Sequence, residues 1–342
     1  MGQVGFVLSH EQFPANRLVD LAVRAEQAGF DCVWTSDHFH PWMDNEGHSN
    51  QAWVTLAAIS QRTNLPFGTG VTCPTYRYHP AIVAQAFASL ATLAPGRVFL
   101  GVGSGEAVNE EAATGQWGDY TERADRLREA ISLIRGLWTG DWLQHEGRYY
   151  RTRQVRLYDP PPEPIPLYVA AGGPDSAQLS GEMGDGLITD AMRAVQPEMR
   201  DAWEAGARGA GRDPAQMPVL AEAFLVVGGE VERRESIDKW RFLPHSWDRF
   251  VEEPDPRAIR DGAASVPAEQ VAKGWVVSED PEDHAKELIR LFERGVTQVF
   301  VHTGQSDQER FIDFYGRRVL PMVREMSPEE RVPAGVAGPG SR

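Results

Sequence analysis

Short apolar runs alternate along this chain with longer stretches in which apolar residues recur every three or four positions. Val4 to Leu8, Cys32 to Thr35, Pro66 to Val71 and Val98 to Val102 read as the first four strands. Between them, Leu18, Leu21, Ala22 and Ala25 mark a helix stopped at Gly29. Trp53 to Arg62 reads as a second helix, and Pro80 to Leu93 as a third with proline at its favoured first position. A fourth, Tyr120 to Trp138, puts Leu127, Ile131, Ile134 and Leu137 on one face. Leu143 to Arg151 resembles a small hairpin. Pro166 to Ala171, Gly186 to Thr189, Val219 to Val227 and Val296 to His302 complete the strands, and Asp283 to Arg294 and Gln308 to Met326 the helices.

Such alternation implies parallel strands joined by right-handed crossovers. About eight units predict a (β/α)₈ TIM barrel with insertions after strands 4 and 7. Residues 1–326 are expected to form one domain. The polar, Trp- and Pro-containing stretch at about 230–267 reads as the second insertion, and 327–342 as a disordered tail. The 342 residues are 42% hydrophobic, enough for a large core. With 34 Lys and Arg against 49 Asp and Glu, the net charge of −15 argues against a nucleic-acid partner. No apolar run approaches a membrane span and no signal-peptide layout opens the chain, so a cytoplasmic protein without membrane contacts is expected. Two cysteines cannot make a disulfide framework or a zinc cluster.

In a barrel the segments just past the strand ends share one face. Here those segments hold Ser9-His10-Glu11, Ser36-Asp37-His38-Phe39-His40-Pro41-Trp42, Gly70-Val71-Thr72-Cys73, Gly103-Ser104-Gly105-Glu106 with Asn109 and Glu110, and Ala170-Ala171-Gly172-Gly173-Pro174. His38 is a candidate proton acceptor at neutral pH, and Trp42 a rigid ring suited to a flat ligand. His38 and His40 have the spacing of barrel metallohydrolases, but no second histidine pair accompanies them. Glu106, beside the glycines, is the better placed catalytic carboxylate. Gly101-Val102-Gly103-Ser104-Gly105 departs from the dinucleotide fingerprint. The Ala171-Gly172-Gly173 turn, opening a helix, makes an anion niche.

Together, Ala25-Glu26-Gln27-Ala28-Gly29-Phe30-Asp31, Thr35 to Trp42, Arg77-Tyr78-His79-Pro80-Ala81 and Gly101 to Glu110 resemble the bacterial luciferase-like superfamily. Within it they are most similar to the group of coenzyme F420-dependent glucose-6-phosphate dehydrogenases. The resemblance implies a homodimer that transfers hydride from the CH–OH carbon of an alcohol, sugar or sugar phosphate to the deazaflavin of F420. It puts catalytic roles on His38, Trp42, Glu106 and Glu11. Cofactor contacts fall on Asp37, Gly70, Val71, Cys73, Glu106 and Asn109, with the cofactor phosphate at Ala171, Gly172 and Gly173. No resident metal is implied. The alternatives are a flavin mononucleotide (FMN)-dependent monooxygenase on the same fold and a metal-dependent hydrolase built on His38 and His40. The phosphate-binding arginine of the group is replaced by Gly274 in Ala272-Lys273-Gly274-Trp275. Arg193, Arg200 and Arg249 are therefore the candidates for a rebuilt phosphate site.

Overall fold

The computed structural model describes residues 2–326; the tail expected at 327–342 lies outside them. The strands are β1 Gln3–Leu8, β2 Cys32–Thr35, β3 Phe67–Thr69, β4 Val98–Val102, β5 Leu167–Ala170, β6 Gly186–Asp190, β7 Val219–Val227, β8 Val276–Ser278 and β9 Gln298–His302. Parallel pairing runs β6-β5-β4-β3-β2-β1-β9-β7, and β7 pairs back to β6 to close the barrel. This is the TIM barrel that the alternation implies, with β9 in the eighth place. The short β8 lies outside the ring, extending the end of β7 in the register Leu225 to Val276.

Val7, Trp34, Phe99, Tyr168, Ile188, Leu220 and Phe300 fill the barrel interior. Trp34 stacks on Phe300 with ring centroids 3.8 Å apart and planes within 4°. With the interior packed, an open site is left to the C-terminal ends of the strands. Outside the ring, the helix Tyr120–Trp138 buries Leu127, Ile131, Ile134 and Leu137, the face its spacing predicts. The helix Ala15–Ala28 ends at Gly29, whose φ of 90° suits glycine.

The helices Pro174–Met183 and Pro197–Gly209 meet backbone to backbone. A Cβ at Gly181 would stand 2.1 Å from the Trp203 carbonyl oxygen, and one at Gly206 2.2 Å from that of Gln178. This contact fixes the helix whose first turn borders the site. Gly181→Ala should therefore cost about 1–3 kcal/mol as overpacking and lower the melting temperature by several degrees in calorimetry. An unchanged transition would mean that the helices separate without cost.

Two connections depart from the simple strand–helix rhythm. After β4 come the helices Glu110–Thr114 and Tyr120–Trp138, then an antiparallel excursion pairing Leu143 with Val155 and Glu146 with Arg151. After β7 come the helices Glu230–Lys239, Pro256–Ala263 and Ala268–Val271, with a tight turn at Leu243–His245 and a wide one at Ser246–Phe250. The polar composition of this second stretch hides its function as a lid. It drops Trp240, Phe242, Phe250 and Ile259 into a cluster with Trp42, Met43 and Val108. The closing helix is also not continuous. A wide turn at Tyr315–Val319 separates Gln308–Phe314 from Leu320–Met326, where Gly316 approaches Ala28 so closely that a Cβ would be 2.8 Å from the Ala28 carbonyl oxygen. Among the described residues no helix is long and apolar enough to cross a membrane.

Candidate active site

A cavity of about 990 Å³ opens at the C-terminal ends of the strands, beneath the lid. Glu11, His38, Trp42, Gly70, Val71, Glu106 and the Ala171-Gly172-Gly173 turn all line it, although they come from five separate strand ends.

His38 Nε2 faces Glu11 Oε1 at 3.4 Å. The other Glu11 oxygen accepts hydrogen bonds from Ser9 Oγ at 2.8 Å and Ser36 Oγ at 2.6 Å. Burial pushes the Glu11 carboxyl up, but His38 and the two hydroxyls outweigh it and hold the group below the ordinary range. Glu46, nearby, goes the other way. Burial, with the Glu11 charge adding to it, raises its carboxyl well above the usual value. The two neighbouring carboxyls are thus shifted in opposite directions. At the other side of the ring, His38 Nδ1 lies 3.0 Å from the His40 carbonyl oxygen and 3.1 Å from Asn109 Nδ2. The Trp42 ring centroid is 5.8 Å from that of His38, and Trp42 stacks on Phe242 at 4.7 Å.

Asn109 works from behind the wall. Its Oδ1 accepts from the Phe39 and His40 amides at 2.7 and 3.3 Å, which fixes its Nδ2 towards His38 and towards Glu106 Oε2 at 3.3 Å. The side chain therefore bridges the histidine after β2 and the carboxylate after β4. Asp37 does not contact its neighbour His38 and does not line the cavity. Its carboxylate accepts from Thr72 Oγ1 at 2.7 Å and Tyr78 OH at 3.2 Å, and Arg77 lies 3.4 Å away. Arg77 also faces Glu110 at 3.4 Å. Burial raises Glu110 to about 7, with Arg77 opposing. Cys73 is buried behind the wall, and burial pushes its thiol well up.

Backbone without side chains forms much of the remaining wall. The peptide Gly70–Val71 is cis. A Cβ at Gly70 would stand 2.6 Å from the Trp34 ring, and one at Gly103 2.8 Å from Val71. At Gly173 nothing lies within 4 Å of that position. The amides of Gly172 and Gly173 both donate to Ser176 Oγ at 3.1 Å, so the helix start is capped from within. Among the described residues no three His, Cys, Asp or Glu side chains converge as a metal site. His40 does not join His38: its ring packs against Phe39 at 5.0 Å.

Residues 2–298 match the family model described as luciferase-like monooxygenase. The chain belongs to this luciferase-like family. It is 50% identical over 322 residues to the F420-dependent hydroxymycolic acid dehydrogenase of Mycobacterium tuberculosis, covering 94% of this chain and 88% of the relative. It is 39% identical to the F420-dependent glucose-6-phosphate dehydrogenase of Mycolicibacterium smegmatis, covering 95% and 99%. Among solved structures, an F420-dependent secondary alcohol dehydrogenase in complex with an F420–acetone adduct superposes with a TM-score of 0.89 at 34% identity, covering 94% and 99%.

Against this luciferase-like frame, the three candidate phosphate arginines separate. Arg193 lines the cavity, but it is held 2.5 Å from Asp190. Arg200 does not line it; its guanidinium reaches the Gly295 carbonyl in the turn before β9 and lies over the Trp203 ring. Arg249 also points elsewhere, over the Phe250 ring and against Gly262. Gly274 has a φ of 83°, and a Cβ there would meet Met192 Sδ at 2.8 Å, so the position of the missing arginine is covered by a thioether. Several wall residues escaped the sequence reading: Arg123, the aromatic lid residues Trp240, Phe242 and Trp247, and the pair Glu222 and His302; Lys273, beside Gly274 in the sequence and not among the phosphate candidates, lines the wall as well. A charged residue inside the apolar run of β7 was the available signal for Glu222.

Proposed function

We propose that this luciferase-like protein is a coenzyme F420-dependent dehydrogenase that oxidises an apolar secondary alcohol. The observation that carries the reading is the His38–Glu11 pair facing one cavity together with Glu106 and Trp42. The cavity fits the cofactor: its volume, at the upper end for small-molecule sites, takes a tricyclic ring and a second reactant. The side-chain-free wall at Gly70, Gly103, Gly172 and Gly173 admits a close-lying ring and tail. Gly70, Val71, Glu106 and the Ala171-Gly172-Gly173 turn would hold the cofactor directly, with Asp37, Cys73 and Asn109 setting that wall from behind. Bound F420 supplies a two-electron hydride acceptor at its deazaflavin ring.

The protein's own part is proton handling and exclusion of water. This chemistry uses the tautomer in which His38 Nδ1 donates its hydrogen to the His40 carbonyl at 3.0 Å rather than accepting one from Asn109 Nδ2 at 3.1 Å, which leaves the Nε2 lone pair to receive the hydroxyl proton of the alcohol. The imidazolium so formed presents Nε2–H to the Glu11 carboxylate, already ionised and 3.4 Å away. Glu106 holds a proton site on the facing wall, oriented by Asn109. Trp42, stacked on Phe242, closes the reacting region to solvent.

The relatives act on two kinds of alcohol, as their names state. The aromatic lid and the thioether over Gly274 favour the apolar kind. The reading includes a cytoplasmic homodimer, which rests on the family habit; sedimentation at micromolar concentration should give twice the chain mass. Fluorescence titration should give a lower Kd for F420 than for FMN by at least about tenfold. Equal or tighter FMN binding, with oxygen consumed during turnover, would favour the flavin monooxygenase reading instead.

A further inference from the structure

The cavity contains a second acid–histidine pair that the proposed chemistry leaves unused. Glu222 lies within β7 and His302 at the end of β9, neighbouring strands in which Phe224 is registered with His302. His302 Nδ1 is 2.6 Å from Glu222 Oε1, a short charge-assisted contact that places the hydrogen on Nδ1. In the neutral ring Nε2 is then a lone pair. It is buried and has no hydrogen-bonding partner among the described residues, while His302 itself is only 3% exposed and lines the cavity. A buried acceptor left in this state is uncommon and calls for a partner from outside the protein.

The surroundings narrow the chemistry of that partner. Phe224 and Trp240 pack on the His302 ring, each with its centroid at 4.5 Å, and Trp275 stacks on Phe224 at 5.1 Å. The indole N–H of Trp240 is taken by Gln12 Oε1 at 3.2 Å. A ligand group that reaches this nitrogen, which the surrounding aromatic rings cover, meets an acceptor beside a carboxylate. An anion would meet the Glu222 charge, and an alkyl group would leave the nitrogen unpaired. A neutral hydroxyl fits both demands, since it donates one hydrogen bond and carries no charge.

We propose that Glu222 and His302 form a specificity site for a second hydroxyl on the substrate, distinct from the one that His38 deprotonates. Resting on the dehydrogenase reading, the proposal narrows the substrate class to an apolar chain carrying two hydroxyls.

The test uses the whole protein and a matched series, 2-octanol against octanediols with the second hydroxyl at each position from carbon 3 to carbon 8. Binding is read by titration calorimetry with F420 present, and kcat/KM is read in parallel. At least one diol should bind about tenfold more tightly than 2-octanol, the discrimination of one satisfied buried hydrogen bond. In His302→Phe that ratio should fall to near one. Glu222→Gln, which keeps an acceptor for Nδ1–H, should retain an intermediate ratio and guards against a phenylalanine variant that fails to fold. Equal binding of 2-octanol and every diol would overturn the proposal and assign the Nε2 position to a water molecule. A His302→Phe loss shared equally by both ligands, or binding of no member of the series, would overturn it too. Diol-selective binding without turnover would uphold the site and strike instead at the dehydrogenase reading.

Discussion

His38→Ala is expected to lower kcat for alcohol oxidation by about 10²–10⁴-fold, the range of a lost general base. F420 affinity should stay within a few-fold, because the backbone wall at Gly70, Gly103 and Gly172 is untouched by the change. The two readouts separate proton transfer from binding. Glu11→Gln sharpens the argument. It keeps hydrogen bonds to Ser9 and Ser36 but removes the charge that faces His38 Nε2 at 3.4 Å. If Glu11 stabilises the imidazolium, the rate in this variant should fall by about tenfold or more. A His38→Ala protein with near-normal kcat would remove His38 from the reaction, whatever the F420 titration gave.

Much of this architecture could be read from the chain because buried parallel strands print a continuous apolar signal. β1, β2, β4 and β7 lie at or within a residue of the predicted runs. β3 is shorter than its run, since the chain leaves the sheet at the cis Gly70–Val71 peptide, which no periodicity announces. The helix Pro197–Gly209 was legible but missed: Met199, Trp203 and Ala207 are spaced four apart behind a first-position proline, and all three are buried. The helix Glu230–Lys239 gave no such signal, since it buries only Ser236 and Ile237. At the site, residues local to one strand end were readable as groups. Pairings made by the fold were not, and Glu222 with His302, eighty positions apart in sequence, is the clearest case. Arg200 and Arg249 do not line the cavity for a related reason: a place in the sequence says nothing about where a long side chain turns.

The substrate prediction follows from what those arginines leave behind. Of the cations on the cavity wall, Arg193 is held by Asp190 at 2.5 Å and Arg123 by Glu252 at 2.9 Å, while Lys273 is exposed. Glu11, Glu106 and Glu222 share the wall with them. A phosphate dianion entering here would lose hydration without a dedicated cluster of donors, and like charges would oppose it. A hydrocarbon tail would instead cover Trp240, Phe242 and Trp247. Burying about five methylenes contributes roughly 4 kcal/mol, part of which is lost to ordering the chain. We therefore expect kcat/KM for 2-octanol to exceed that for glucose 6-phosphate by at least about 100-fold. Arg193→Ala should change the glucose 6-phosphate KM by less than about threefold, because its guanidinium is already engaged. Should the wild-type protein turn over glucose 6-phosphate as well as the alcohol, with Arg193→Ala or Lys273→Ala raising that KM tenfold or more, the lid would have to open onto a phosphate site that its aromatic lining now conceals.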